Sequence, residues 1–98
     1  MYVIVNHQLT DPPTAFERGK KLMAGQDAPA GVRVFQFFPS RDATTVSCMW
    51  QAESVEGVQT YVDDTLGDAS VNTCYEVDAE QAFADTLPNL QRSPAPAL

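Results

Sequence analysis

The sequence predicts an α+β domain. Its order is strand, helix, strand, strand, helix, strand, with both helices on one face of a single antiparallel sheet. Three observations predict it. Thr44 to Gly67 (TTVSCMWQAESVEGVQTYVDDTLG) reads as a strand, a polar break and an amphipathic helix closed by glycine. Two runs rich in β-branched and aromatic residues, Tyr2 to His7 (YVIVNH) and Val32 to Phe38 (VRVFQFF), flank a second stretch of helical period. The second and third strand runs are separated only by Pro39 and Ser40-Arg41-Asp42, the length of a hairpin link.

The first strand, Tyr2 to His7, stops before Asp11-Pro12-Pro13. Asp11 or Thr14 can cap a helix there, and proline is tolerated in a first turn because its missing N–H needs no partner. Ala15, Phe16, Gly19, Leu22 and Met23 then recur at helical spacing opposite Glu17, Arg18, Lys20 and Lys21. Gly25 ends that helix, and DAPAG (27–31) is a loop. The second strand, Val32 to Phe38, stops at Pro39, and Ala43 to Gln51 forms the third. Ser54 is the expected N-cap of the second helix, whose Val55, Val58, Val62 and Leu66 share a face beside Tyr61. Gly67 is expected as its left-handed C-terminal cap. Ser70 to Val77 (SVNTCYEV) is the fourth strand, and Asp78 can cap one or two helical turns over DAEQAFA.

Two crossovers joined by a hairpin give sheet order 4-1-3-2, the ferredoxin-like βαββαβ plan. Strands one and three become central neighbours, expected to run parallel. The domain is expected over residues 1–86. Residues 87–98, proline-rich with Arg92 the sole charge, form a tail in which SPAPAL is expected to be flexible.

The chain has 98 residues, the size of one domain, and 44% are apolar. A domain this small buries about 60–65% of its unfolded surface, so its core is limited. Six basic against thirteen acidic residues leave a net charge of −7. That field repels phosphate and argues against nucleic acid and anionic membranes as partners. No apolar run is long enough to span a bilayer, and MYVIVNHQ lacks the basic and apolar regions of a secretory signal. A cytoplasmic protein is the expectation. Cys48 and Cys74 fit no zinc-ligand spacing and read as buried apolar residues on strands three and four. With strand one between them they stand about 9–10 Å apart, beyond disulfide reach, so both are expected free.

Side chains alternate along a strand. Val3, Val5 and His7 share a face with Val46, Cys48 and Trp50, a compact set suited to lie beneath helices. Val32, Val34, Gln36 and Phe38 form one set on strand two, and Arg33, Phe35 and Phe37 the other. Tyr2, Ile4, Phe35, Phe37 and Met49 fall on the second face, which two helices cannot also cover. Burying one such side chain is worth about 1.5–3 kcal/mol. A second copy packed sheet to sheet about a two-fold axis is the simplest cover, so a homodimer is expected through these five residues. A face assignment displaced by one residue, or a C-terminal segment folded back over the patch, is the alternative.

The element order, with a third strand ending Cys48-Met49-Trp50-Gln51-Ala52-Glu53-Ser54 and running straight into a helix, resembles the dimeric α+β barrel superfamily. Its members include antibiotic-biosynthesis monooxygenase-type and stress-responsive barrel domains. The ending Asn6-His7-Gln8-Leu9-Thr10 of strand one is similar to that of haem-degrading members. The resemblance covers roughly residues 2–77. It implies a pocket between sheet and helices, lined by the polar residue ending strand one and by the tryptophan of strand three, here His7 and Trp50. The haem-degrading branch also uses a histidine on the second helix. SVEGVQTYVDDTLG has none, and His7 is the sole histidine, so neither haem nor another cofactor is expected.

His7 titrates near neutrality and suits general acid or base chemistry. Tyr61 and Tyr75 can donate hydrogen bonds to a carbonyl or enolate. The ligand-contacting set is therefore His7, Trp50, Tyr61 and Tyr75, with His7 and Tyr61 the catalytic candidates. Against this, a histidine at a strand end commonly bonds a loop carbonyl, and a buried tryptophan is commonly core. Asn72 and Glu76 share the Cys74 face of strand four and with His7 sketch a metal site without diagnostic spacing, so no metal is assigned. Asp63 and Asp64 end the second helix against its dipole, where solvent, or an arginine of a partner copy, is the expected neighbour. No GxSxG elbow, phosphate-cradling glycine loop or dinucleotide fingerprint is present. The leading expectation is a domain binding a small hydrophobic or aromatic molecule near His7 and Trp50. The alternatives are a cofactor-independent monooxygenase or aldol-type cyclase on an aromatic or polyketide-like compound, and an interaction module without a ligand.

Overall fold

The computed structural model describes residues 1–92; the SPAPAL segment lies outside them. Strand β1 spans Tyr2–Leu9, helix α1 Pro12–Ala24, β2 Arg33–Pro39, β3 Thr45–Gln51, helix α2 Val55–Leu66 and β4 Ser70–Glu76, with a 3-10 turn Gly67–Ala69 between α2 and β4. The four strands form one antiparallel sheet of order β2-β3-β1-β4, the ferredoxin-like arrangement.

The direction expected for β1 against β3 is corrected. They are antiparallel, Val3 pairing with Trp50 and His7 with Val46. One crossover keeps β2 parallel to β1, and the hairpin then reverses the chain, so β3 must oppose β1.

Local chemistry sets the helix ends. Asp11 caps α1: its carboxylate accepts the Thr14 hydroxyl at 2.8 Å, and Pro12 and Pro13 occupy the first turn. Gly25 closes α1 at φ 69°, the left-handed conformation that glycine enters without strain. Ser54 caps α2, its hydroxyl accepting the Gly57 amide at 3.0 Å. Gly67 follows α2 at φ 56° and ψ −136°, outside the left-handed helical cap expected, and turns the chain into Gly67–Ala69. Arg18 secures that corner, donating to the Leu66 carbonyl at 2.9 Å. After β4, Asp78 caps a single turn, accepting the Glu80 amide at 3.1 Å.

Alternation decides what is buried. Val3, Val5, His7 and Leu9 of β1 and Val46, Cys48 and Trp50 of β3 are buried. They form one core with Ala15 and Leu22 of α1 and with Val58, Tyr61, Val62 and Leu66 of α2, while Phe16, Met23 and Val55 seal its edge. Cys48 and Cys74 are free and both pair with Val5, one on each side. Cys48 is buried as expected and Cys74 half-buried.

The open face carries Tyr2, Ile4, Phe35 and Met49 as expected, with Tyr2 edge-on to Phe35 at 6.3 Å. A bulge in β2 corrects Phe37. Val34 pairs with Trp50 but Gln36 with Met49, so Phe35 and Gln36 together face one partner. Beyond the bulge Phe37 pairs with Cys48, on the helix side, and Phe38 takes the open side beside Ser47. Val71 and Tyr75 of β4 extend the apolar area of that face.

Candidate functional site

His7 and Trp50 share the helix-facing side of the two central strands but stand at opposite ends of it. Trp50 pairs with Val3 and His7 with Val46, with the Val5–Cys48 pair between. Four residues of strand put them about 13 Å apart. Tyr75 is on the other side of the sheet, paired with Ile4 and half exposed. The structure therefore brings Tyr61 to Trp50 but does not bring His7 or Tyr75 to the same wall. Sharing a strand face is not sharing a pocket, because a strand advances with every residue.

At one end, Trp50 is fully buried, and the Tyr61 ring stands edge-on to it, centroids 6.0 Å apart at 87°. The Tyr61 hydroxyl donates to the Gln26 carbonyl at 2.5 Å, tying α2 to the loop after α1. Burial, and then the negative charge of Asp27, push the Tyr61 phenol upward. It stays protonated at neutral pH. Trp50 Nε1 is buried without a hydrogen-bond partner among the described residues. Outside Tyr61 a groove of about 680 Å³ runs between the end of α1 and helix α2, lined by Lys21, Gln26, Asp27, Glu56, Tyr61 and Asp64. Tyr61 is the wall between this groove and Trp50.

At the other end, His7 is buried and its Nδ1 lies 2.6 Å from Asn72 Oδ1. The Ser70 hydroxyl donates to the same oxygen at 2.6 Å. Asn72 Nδ2 donates to Asp63 Oδ1 at 2.9 Å, and Gln59 Nε2 donates to Asp63 Oδ2 at 3.0 Å and to the Asn72 carbonyl at 2.9 Å. Asp63 is thus engaged by β4 rather than left to solvent. The pattern fixes the amide orientation, because a carboxylate only accepts and must face the Asn72 NH₂ group. Gln59 is the residue sequence reasoning missed, and Asp63, one turn further along α2, is corrected from a helix end facing solvent or a partner's arginine to a partner of Asn72 and Gln59. Their spacing is visible in the sequence, but their partner Asn72 depends on the β1–β4 register. Glu76 pairs with Val3 and so lies away from His7. Among the described residues no group of three histidine, cysteine or acidic side chains could hold a metal ion.

Burial pushes the His7 imidazole below its ordinary 6.5, opposed by the Asn72 hydrogen bond and the Asp63 charge. With the folded value below the unfolded one, the unfolded chain takes up a proton first as pH falls. The stability held by neutral His7 is complete above 6.5 and declines from there down to the folded value. Melting followed by circular dichroism should therefore show a fall in Tm just below pH 6.5 that His7→Gln lacks. Parallel curves for the two proteins would contradict this. Burial also raises Cys48 to about 12 and, with the Asp63 charge, Cys74 to about 11, so neither is a thiolate nucleophile at neutral pH.

No model of a known protein family matches the sequence. No curated protein matches it. Among solved structures the chain is similar to that of Rv0793 from Mycobacterium tuberculosis, with a TM-score of 0.50 and 10% identity, over 78% of this chain and 93% of that one. At that identity the likeness concerns the fold alone. No helix among the described residues is long and apolar enough to cross a membrane.

Proposed function

We propose that the chain is a small-molecule-binding domain of the dimeric α+β barrel type. Two copies join through their open sheet faces, and each takes a compact hydrophobic or aromatic ligand between its sheet and helix α2. The observation that carries this reading is the Trp50 indole N–H, buried with no acceptor among the described residues. Leaving such a donor unpaired costs about 1–3 kcal/mol. In a small domain of marginal stability, a local cost of that size is expected where function uses it. A ligand oxygen that reached Nε1 would remove the cost on binding. The indole is then the polar anchor of an otherwise apolar site. Displacement of the Tyr61 ring from Gln26 is the short route from the outer groove to Trp50. Catalysis by a His7–Tyr61 pair is less favoured, because Tyr61 packs on Trp50 at the far end of the sheet from His7.

Trp50 is the sole tryptophan, so one indole N–H resonance reports on the site. Titration of the ¹⁵N-labelled protein with acetophenone should move that resonance saturably, whereas naphthalene, which has no acceptor oxygen, should not reproduce the shift. Trp50→Phe should weaken acetophenone binding about fivefold, the equivalent of one hydrogen bond. A resonance indifferent to acetophenone, or equal affinity in the variant, contradicts the proposal.

A further inference from the structure

The chain carries thirteen acidic residues and a net charge of −7, yet no strand residue of its open sheet face is acidic. Glu76 is the sole acidic residue within the four strands, and it pairs with Val3, on the helix side. Arg33, which pairs with Gln51 at the end of the open face, lies over the Phe35 ring at 4.7 Å. In the middle of the face stands one polar pair. Asn6 faces Ser47 across the two inner strands, and the Ser47 hydroxyl donates to Asn6 Oδ1 at 2.9 Å. The Ile4–Met49 pair is next to it on one side and the Gln8–Thr45 pair on the other. In the separate chain Asn6 is exposed and Ser47 half-buried. The bond they make leaves the pair with amide donors and with a lone pair on the serine oxygen.

We propose that the occupant of the open face is a second copy held in one register, and that Asn6 and Ser47 are the positioning residues that set it. The Asn6 amide of each copy donates to the partner's Ser47 hydroxyl. The register rests on the homodimer reading given above. A copy of like charge approaches at least cost through the side whose strands carry no carboxylate. A cationic partner finds no counter-charge on those strands, and nucleic acid is repelled by the whole chain. Apolar contact is non-directional, so sheets packed through Ile4, Met49 and Phe35 alone could slide or turn against each other. A polar pair at the centre removes that freedom. A two-fold axis through the patch brings central residues near their own counterparts, and contacts across it are reciprocal. The donor of each copy then meets the acceptor of the other. In a displaced register these groups are buried without partners, which disfavours it about tenfold for each orphaned group. One polar pair in an apolar seam thus fixes register at some cost in affinity.

Asn6→Val together with Ser47→Val replaces the pair by β-branched side chains that suit a strand. The expected result is a protein of two-chain mass whose dimer affinity is equal or up to about tenfold tighter. Its open-face amide resonances should broaden or double where the unaltered chain gives one set. Ser47→Ala alone, which orphans the Asn6 amide, should weaken the dimer about tenfold. A pair that merely braced β1 against β3 would change Tm and leave the single set of resonances intact. That result, or a double variant that is monomeric, overturns the proposal. The unaltered chain gives a test independent of any variant. In dimers mixed from chains labelled with ¹³C and ¹⁵N and unlabelled chains, the Asn6 side-chain amide should show a nuclear Overhauser effect to the unlabelled copy. A dimer without that contact overturns the proposal. Failure of the homodimer reading has a different signature: the unaltered chain then has the mass of one chain in light scattering.

Discussion

Trp50→Ala is expected to lower the folding stability by about 3–5 kcal/mol, the range for truncating a large aromatic side chain in a packed core. Trp50 is fully buried, pairs with Val3 and Val34 on the neighbouring strands, and meets Tyr61 edge-on. Its removal opens a cavity that the sheet cannot close, because both flanking strands are held by ladder hydrogen bonds. Domains of this size have about 5–15 kcal/mol in total, so the variant should be marginal at room temperature. Trp50→Phe is expected to cost far less, since it removes the unpaired N–H together with part of the ring. Urea denaturation of the two variants beside the parent separates these effects. A Trp50→Ala loss of about 1 kcal/mol or less would place the indole outside the core, against the packing described.

The second large effect concerns assembly. Ile4 and Met49 pair across the two central strands and sit on the open face, away from both helices. Ile4→Arg together with Met49→Arg is expected to abolish the proposed homodimer while leaving the monomer folded. Two-fold symmetry brings each substitution to the interface twice, so four like charges gather where apolar side chains packed. Burying charge without a partner is costly enough that dimer affinity should fall at least about a hundredfold. In the separate chain these positions touch solvent, so the circular dichroism spectrum should persist. A dimer that survives both substitutions would place the contact elsewhere.

What was legible in the sequence was local. Asp11 and Ser54 cap the helices as their neighbours suggest, the α2 stripe of Val58, Tyr61, Val62 and Leu66 is buried, and the β1 and β3 alternation divides core from open face. Those features depend on residues within a few positions of each other. The bulge at Phe35–Gln36 carries no glycine or other local mark, and it exchanged the faces of Phe37 and Phe38. Tyr75 needed the orientation of β4, which alternation alone leaves open. The bond from His7 to Asn72 spans 65 residues of sequence. It exists because β4 enters beside β1 in a register that no short motif encodes. Asp63 looked like a solvated helix end for the same reason. The side chain that receives it lies across the fold, on β4.

The open sheet face is the feature on which the proposed assembly, and with it the proposed barrel, depends. Light scattering of the unaltered full chain at micromolar concentration tests it most directly. The expected mass is twice the 10.7 kDa of one chain. A mass of one chain across the concentration range would contradict it, because Tyr2, Phe35, Phe38 and Tyr75 would then stand in water on a protein that has no second copy to cover them.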